Sequence, residues 1–309
     1  MSKTLQIPST DGKNQLHVVA WEPEGKIKAI MQISHGMIEY TERYDEFAQY
    51  LNKQGIMVIG NDHLGHGHTA PNSVELGYIG AGMSETLVND LHEVTKYAKR
   101  EYGAGHPYFL FGHSMGSFLA RRYLMTYGKE VQGAIISGTG YTPKAVLVAG
   151  SFFAGAIKLF RGERYRSPFL KNLAFSGYNK KIENVRTEND WLSRNEANVD
   201  KYNADKYCTF LFTVNGYQTL FGLLKYIQKP ENYKKIPKDL SMFFIAGAED
   251  PVGNYGEGVK KVTASYRQAG MENIRTKIYK EDRHELTNET DRYMVYEDVR
   301  NWVEHQLKK

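Results

Sequence analysis

Between Gln15 and Gly138 two patterns alternate: short runs that are apolar at nearly every position, and longer stretches where apolar residues return every third or fourth. QLHVVAW (Gln15–Trp21), KAIMQIS (Lys28–Ser34), IMVIG (Ile56–Gly60), YFLFG (Tyr108–Gly112) and QGAIISG (Gln132–Gly138) are of the first kind and predict strands. Of the second kind are ERYDEFAQYLNKQ, with Tyr44, Phe47 and Leu51 on one face, and SETLVNDLHEVTKYAKREYG, with Leu87, Leu91, Val94 and Ala98. Ser84 offers an N-cap to the latter, without the Glu or Gln at position 87 that would complete a capping box. GSFLARRYLMTYG predicts a third helix. Strands without a polar side must be covered on both faces, so the pattern predicts an α/β fold with a mostly parallel central sheet between helical layers.

After Tyr141 the rhythm is lost and returns only at SMFFIAG (Ser241–Gly247), followed by a helix Tyr255–Gln268, a strand Asn273–Tyr279 and a helix through DRYMVYEDVRNWVEHQL. The division expected is a main domain of residues 1–140 and 238–309, interrupted by an inserted, mostly helical cap over 141–237.

Composition and charge add limits. The lone Cys208 leaves no intramolecular disulfide, which suits a reducing compartment. MSKTLQIPSTDG has no apolar leader run, and no stretch reaches the roughly 18 apolar residues of a membrane span, so a soluble cytoplasmic protein is expected. The net charge of +5 is uneven: residues 141–237 hold 16 Lys/Arg against 8 Asp/Glu, the remainder 24 against 27. A basic insertion is either a solvated face or a surface that meets anionic lipid at the inner membrane surface. No nucleic-acid-binding motif accompanies it, and no nucleic-acid partner is expected.

The chemistry centres on FLFGHSMGSF (Phe109–Phe118), where Ser114 stands two residues from a glycine on each side, between a predicted strand and a predicted helix. Either the glycines serve a packing turn, or the turn is strained to hold Ser114 out as a nucleophile at the positive end of the helix. A serine hydroxyl needs a base, and the base needs an anion to hold its tautomer. Of ten histidines, His284 in YKEDRHELTNE follows the last predicted strand, where a base would overhang the sheet. Asp250 in FIAGAEDPVG follows the strand before it, with Glu249 as its rival. The order Ser114, Asp250, His284 is that of the α/β-hydrolase fold. The oxyanion of a tetrahedral intermediate would be received by the N–H groups of Met115 and of Met37, the latter in SHGMIEYTERY after the strand ending at Ser34.

HGMIEYTERY, NDHLGHGHT, FGHSMGS and DRHELTNE, with GAEDPVG as a weaker fifth, together resemble the monoacylglycerol lipase and lysophospholipase branch of the α/β-hydrolases, also described as serine-aminopeptidase-like. The resemblance runs from about Lys28 to the C-terminus, the insertion excepted. It implies the Ser114–Asp250–His284 triad, the Met37 and Met115 oxyanion hole, and Glu39, Arg43 and His113 around the alcohol half of a glyceride. This chain has Ile38-Glu39-Tyr40 where the family usually has Gly-Glu-His, and a bulky Ile38 narrows that pocket. Asp62, His63, His66 and His68 crowd together as metal ligands might, but two glycines interrupt them, and Asp62 and His66 are expected instead to buttress the oxyanion loop. The expectation is a serine ester hydrolase without metal or cofactor, acting on a small-molecule ester or lipid: a monoacylglycerol lipase or lysophospholipase, with a short-chain or aryl carboxylesterase and then a serine aminopeptidase as alternatives. The apolar run Ala145–Phe160 either walls an acyl tunnel or packs on the main domain, and the basic cap suits peripheral membrane contact.

Overall fold

The structure, a computed structural model, describes residues 2–309. Its strands are β1 (Ser2–Pro8), β2 (Gln15–Trp21), β3 (Ala29–Ser34), β4 (Ile56–Asn61), β5 (Tyr108–His113), β6 (Gly133–Ser137), β7 (Ser241–Gly247) and β8 (Ile274–Tyr279). They form one sheet in the order β1-β2-β4-β3-β5-β6-β7-β8. The pairs β1–β2 and β2–β4 are antiparallel and every other pair is parallel. The helices are α1 (Asp45–Asn52), α2 (Met83–Tyr102), α3 (Met115–Tyr127), α4 (Lys144–Arg161), α5 (Pro168–Phe175), α6 (Glu196–Ala204), α7 (Val214–Ile227), α8 (Pro230–Tyr233), α9 (Glu257–Gln268) and α10 (Arg292–Gln306). This is the expected α/β-hydrolase architecture.

Alternate residues of each central strand enter different cores. Tyr108 and Leu110 of β5 join Leu91, Leu119 and Val262, whereas Phe109 and Phe111 join Phe47, Val299 and Trp302. Helices α2, α3 and α9 therefore cover one face and α1 and α10 the other, which is why the strands are apolar throughout. The periodicity did not predict β1: as an edge strand it buries only Ile7 and carries no apolar run. Helix α2 starts at Met83 with Gly82 at its cap. Ser84 lies inside it, and its Oγ accepts from Arg122 Nη1 of α3 at 2.5 Å, a tie between helices instead of the expected cap.

Helices α4 to α8 all fall between β6 and β7. Helix α7, capped by Thr213 whose Oγ1 accepts from the Gly216 N–H, buries Leu220, Leu223 and Ile227 in the same core as α2 and α3. Helix α4 lies on α7, with Gly150 so close to the Phe221 ring that a Cβ there would come within 2.8 Å. Its outer side is bare: Phe152, Leu159 and Phe160 are 69%, 80% and 81% exposed.

Candidate active site

Ser114 is the single residue between β5 and α3, at φ 52° and ψ −122°. A side chain in the left-handed half of conformational space is strained and persists only where its surroundings over-determine it. Here they do. A Cβ on Gly112 would lie 2.5 Å from the Gly116 carbonyl oxygen, and one on Gly116 would lie 1.9 Å from that of Ser34. The glycines thus let α3 cross tightly over β5 and β3, and that crossing forces Ser114 into the bend. Its N–H is held by the Ser137 carbonyl of β6 at 3.0 Å.

Asp250 follows β7. Its Oδ1 accepts from the Val252 N–H at 2.8 Å, and its Oδ2 lies 3.0 Å from His284 Nδ1. The pair is within ion-pair distance, although the ring N–H is not aimed squarely at the oxygen. Burial works against the imidazolium, but the Asp250 charge outweighs it and the His284 pKa is raised. The other ring nitrogen, Nε2, is buried without a partner, and His284 lines the same cavity as Ser114. Glu249 lies elsewhere, half exposed and 3.8 Å from the Arg283 guanidinium.

The segment carrying His284 is gripped from 190–198, which the sequence patterns did not single out. The Glu285 N–H donates to the Leu192 carbonyl at 2.7 Å, and Arg283 Nη1 donates to that of Asp190 at 2.8 Å. Arg194 reaches Asp282 at 2.5 Å, Asp291 at 3.0 Å and Glu289 at 3.6 Å. Those three carboxylates lie close enough together to ligate a cation, and the guanidinium already sits among them. The Trp191 ring packs 5.0 Å from that of His284. His113, 4.6 Å away on the other side, is held well below the ordinary imidazole pKa by burial and by His284, so it stays neutral.

β3 runs out into His35-Gly36-Met37-Ile38-Glu39. Among the described residues, neither the Met37 nor the Met115 N–H donates to a protein acceptor, and both residues line the cavity. The Glu39 carboxylate folds back onto the Gly36 N–H and also accepts from Tyr44 Oη at 2.9 Å and Arg43 Nη1 at 3.0 Å. Arg43 in turn forks onto both oxygens of Glu285, each at 2.7 Å. Burial opposes the Glu285 anion, yet Arg43 draws its pKa down to about 2. Of the three residues expected around the alcohol, Glu39 and His113 line the cavity and Arg43 does not, because its charge is taken up between two carboxylates behind the loop.

The histidine-rich stretch braces this loop. Asp62 accepts from the N–H groups of Thr41 and His68, both at 2.8 Å. The His63 N–H donates to His35 Nε2 at 2.9 Å. His66 turns to its own Leu64 carbonyl at 3.0 Å and reaches the loop only by packing its ring 5.2 Å from that of His35. The second hydrogen-bonded brace is therefore His63, not His66. Burial holds His63 and His66 neutral, with pKa values near 3 and 4.

Ser114, His284, Met37 and Met115 open into one cavity of roughly 1360 Å3. Phe118, Val146, Leu220, Phe221 and Leu224 supply apolar wall, and Asn179, Thr187 and Asn189 polar groups. Of the apolar run 145–160, then, Val146 faces the cavity, Leu147, Gly150 and Ala154 pack, and several of the rest face outward.

Residues 25–291 match the family described as serine aminopeptidase, S33. The chain belongs to that family. Among its relatives, the monoglyceride lipase of Rattus norvegicus is 27% identical over 93% of this chain and 86% of its own length. The monoacylglycerol lipase of Mycolicibacterium smegmatis is 25% identical over 99% of this chain and 100% of its own. The crystal structure of a highly thermostable carboxyl esterase from Bacillus coagulans, in complex with glycerol, superposes with a TM-score of 0.92 at 29% identity, covering 99% of each chain. No helix among the described residues of this S33 family member is long and apolar enough to cross a membrane.

Proposed function

We propose that the protein hydrolyses carboxylic esters of the monoacylglycerol or lysophospholipid class through an acyl-enzyme on Ser114. The observation that carries this reading is His284, with Nδ1 3.0 Å from Asp250 and a free Nε2 in the wall of the cavity that holds Ser114. His284 takes the Ser114 proton as the hydroxyl oxygen bonds to the ester carbonyl carbon, then returns it to the departing alcohol. Water repeats the sequence on the acyl-enzyme, His284 again accepting the proton and giving it back to Ser114 as the carboxylic acid leaves. Asp250 stays ionised throughout, and the Met37 and Met115 amides receive the oxyanion.

The relatives named for monoacylglycerols support a single-chain glyceride, and the cavity exceeds the usual ~300–1,000 Å3 of small-ligand sites, leaving room for an acyl chain. In this reading residues 141–237 are the cap over a main domain of 1–140 and 238–309. The outward Phe152, Leu159 and Phe160 on that basic cap suit peripheral contact with an anionic membrane. An aminopeptidase would need carboxylates for the substrate ammonium. Of Glu183, Glu188 and Glu196 in the cap, only Glu188 lines the cavity, and it is paired with Lys171 at 2.7 Å. A short-chain or aryl carboxylesterase is the second reading, favoured by the likeness to a Bacillus coagulans protein named a carboxyl esterase.

Turnover of p-nitrophenyl esters from acetate to palmitate, 1-monoacylglycerols, lysophosphatidylcholine and an aminoacyl amide decides among these. Medium to long chains should give the highest kcat/KM and the amide none, and Ser114→Ala should lose at least ~10³-fold and all fluorophosphonate labelling. A maximum at acetate with no glyceride turnover selects the short-chain reading, and labelling that survives in Ser114→Ala removes the nucleophile.

A further inference from the structure

Ile38 has φ 58°. A β-branched side chain is a pronounced outlier there, because its Cβ crowds its own backbone. The position follows Met37, so the strain sits directly beside one of the two amides assigned to the oxyanion. On the near side the turn is closed by the Glu39 carboxylate on the Gly36 N–H. On the far side, the Ile38 carbonyl is reached by one donor among the described residues: Tyr202 Oη, from α6, at 3.0 Å. A second tie runs the other way, from Tyr40 Oη to Asp205 Oδ2 just beyond α6, at 2.7 Å.

Tyr202 is itself fixed. It is buried, and its ring lies 4.9 Å from the Arg43 guanidinium that forks onto Glu285. Asn198, one turn earlier on α6, donates to the same Glu285 at 2.7 Å. The donor is thus referenced to the segment that carries His284, so oxyanion loop and base share one support.

We propose that Tyr202 is a positioning residue for the oxyanion site: its hydroxyl holds the Ile38 peptide in the strained turn and thereby keeps the Met37 N–H facing the cavity. The proposal rests on the ester-hydrolase reading and gives the inserted segment a part in the chemistry beyond covering substrate. A glycine at this position would hold the turn unaided, whereas isoleucine requires an outside tie.

Tyr202→Phe removes one oxygen and keeps the ring. With p-nitrophenyl butyrate, kcat should fall about tenfold, a fraction of the 10²–10³ lost when an oxyanion donor is removed outright. KM should stay within about twofold, since the lost interaction acts in the transition state, and the unfolding temperature within ~2 °C. In the Ile38→Gly background the same change should cost no more than about twofold, because the two effects are coupled through one peptide. An equal loss in both backgrounds, or an unchanged kcat in Tyr202→Phe, overturns the proposal. Should Tyr202→Phe not fold, Tyr40→Phe carries the test: a several-fold kcat loss with Ile38 in place that disappears in the I38G background supports the proposal, and a loss indifferent to Ile38 overturns it. Ser114→Ala on the same ester separates the two levels. Full activity there ends the hydrolase reading, while an inactive Ser114→Ala beside a fully active Tyr202→Phe ends this proposal alone.

Discussion

At the scale of single residues, the sign of two opposing effects on His284 sets the pH behaviour. Burial alone would leave the imidazole neutral and unresponsive, and the Asp250 carboxylate at 3.0 Å reverses that and raises its pKa. Activity should rise with pH as the base becomes neutral, with a midpoint above the ordinary imidazole value of about 6.5. Asp250→Asn should move that midpoint down, because burial then acts unopposed, and should cost on the order of 10⁴ in kcat by losing the correct tautomer. A pH–rate profile of the two proteins checks both. Stability runs the other way: a histidine with a raised folded pKa stabilises fully below its unfolded pKa, and that contribution is lost as pH rises through the folded value. Wild type should therefore lose more unfolding temperature between pH 6 and pH 8 than Asp250→Asn does. Ser114 and Ile38, both at positive φ, are two residues where local backbone energy yields to the site around them.

At the scale of elements, the segment bearing His284 has no regular structure of its own beyond a short 3-10 turn at Leu286–Asn288, so neighbours must hold it. Arg194 does so electrostatically. Asp282 is pushed up to about 7 by burial and by the Glu289 and Asp291 charges, with Arg194 opposing. An acid raised in the fold subtracts stability as pH climbs from the unfolded carboxylate range toward the folded value. Arg194→Ala should enlarge and extend that loss, lowering the unfolding temperature more at pH 8 than at pH 5. A loss equal at both pH values would show that Arg194 acts through packing alone. The Ser114 bend is held by geometry instead: a Cβ on Gly116 would lie 1.9 Å from the Ser34 carbonyl oxygen, so no side chain fits there without displacing α3 from the sheet.

At the scale of the whole molecule, α4 departs from an ordinary surface helix in carrying large apolar residues on its solvent side as well as small or apolar ones on its buried side. Leu147, Gly150 and Ala154 are buried on one side, while Phe152, Leu159 and Phe160 meet solvent on the other. A replacement pair, Leu159→Asp with Phe160→Asp, should weaken sedimentation with anionic vesicles and turnover of vesicle-borne monoacylglycerol, leaving a soluble butyrate ester unaffected. Added salt should weaken the vesicle reaction alone, as expected of a partly electrostatic contact. Equal effects on both substrates would remove the peripheral contact from the reading.

How much of this was legible in the chain follows from the range of the forces involved. The sequence by itself determined the parallel sheet, because strands buried on both faces must be apolar at consecutive positions, and it pointed to Ser114, because two glycines at that spacing serve a crossing that larger side chains forbid. The positions of Asp250 and His284 were readable from the strands before them, the apolar, fully buried β7 for Asp250 and the more polar IRTKIY of β8 for His284. The edge strand β1 left no comparable mark, since all of its residues but Leu5 and Ile7 are exposed. Tertiary structure alone decided that Arg43 turns away from the cavity, that His63 braces the loop in place of His66, and that Trp191, Arg194, Asn198 and Tyr202 reach back to the site. These are polar and aromatic contacts between segments far apart in the chain. They carry no periodicity and have no local partner, so they exist only once packing has brought both ends of each contact together.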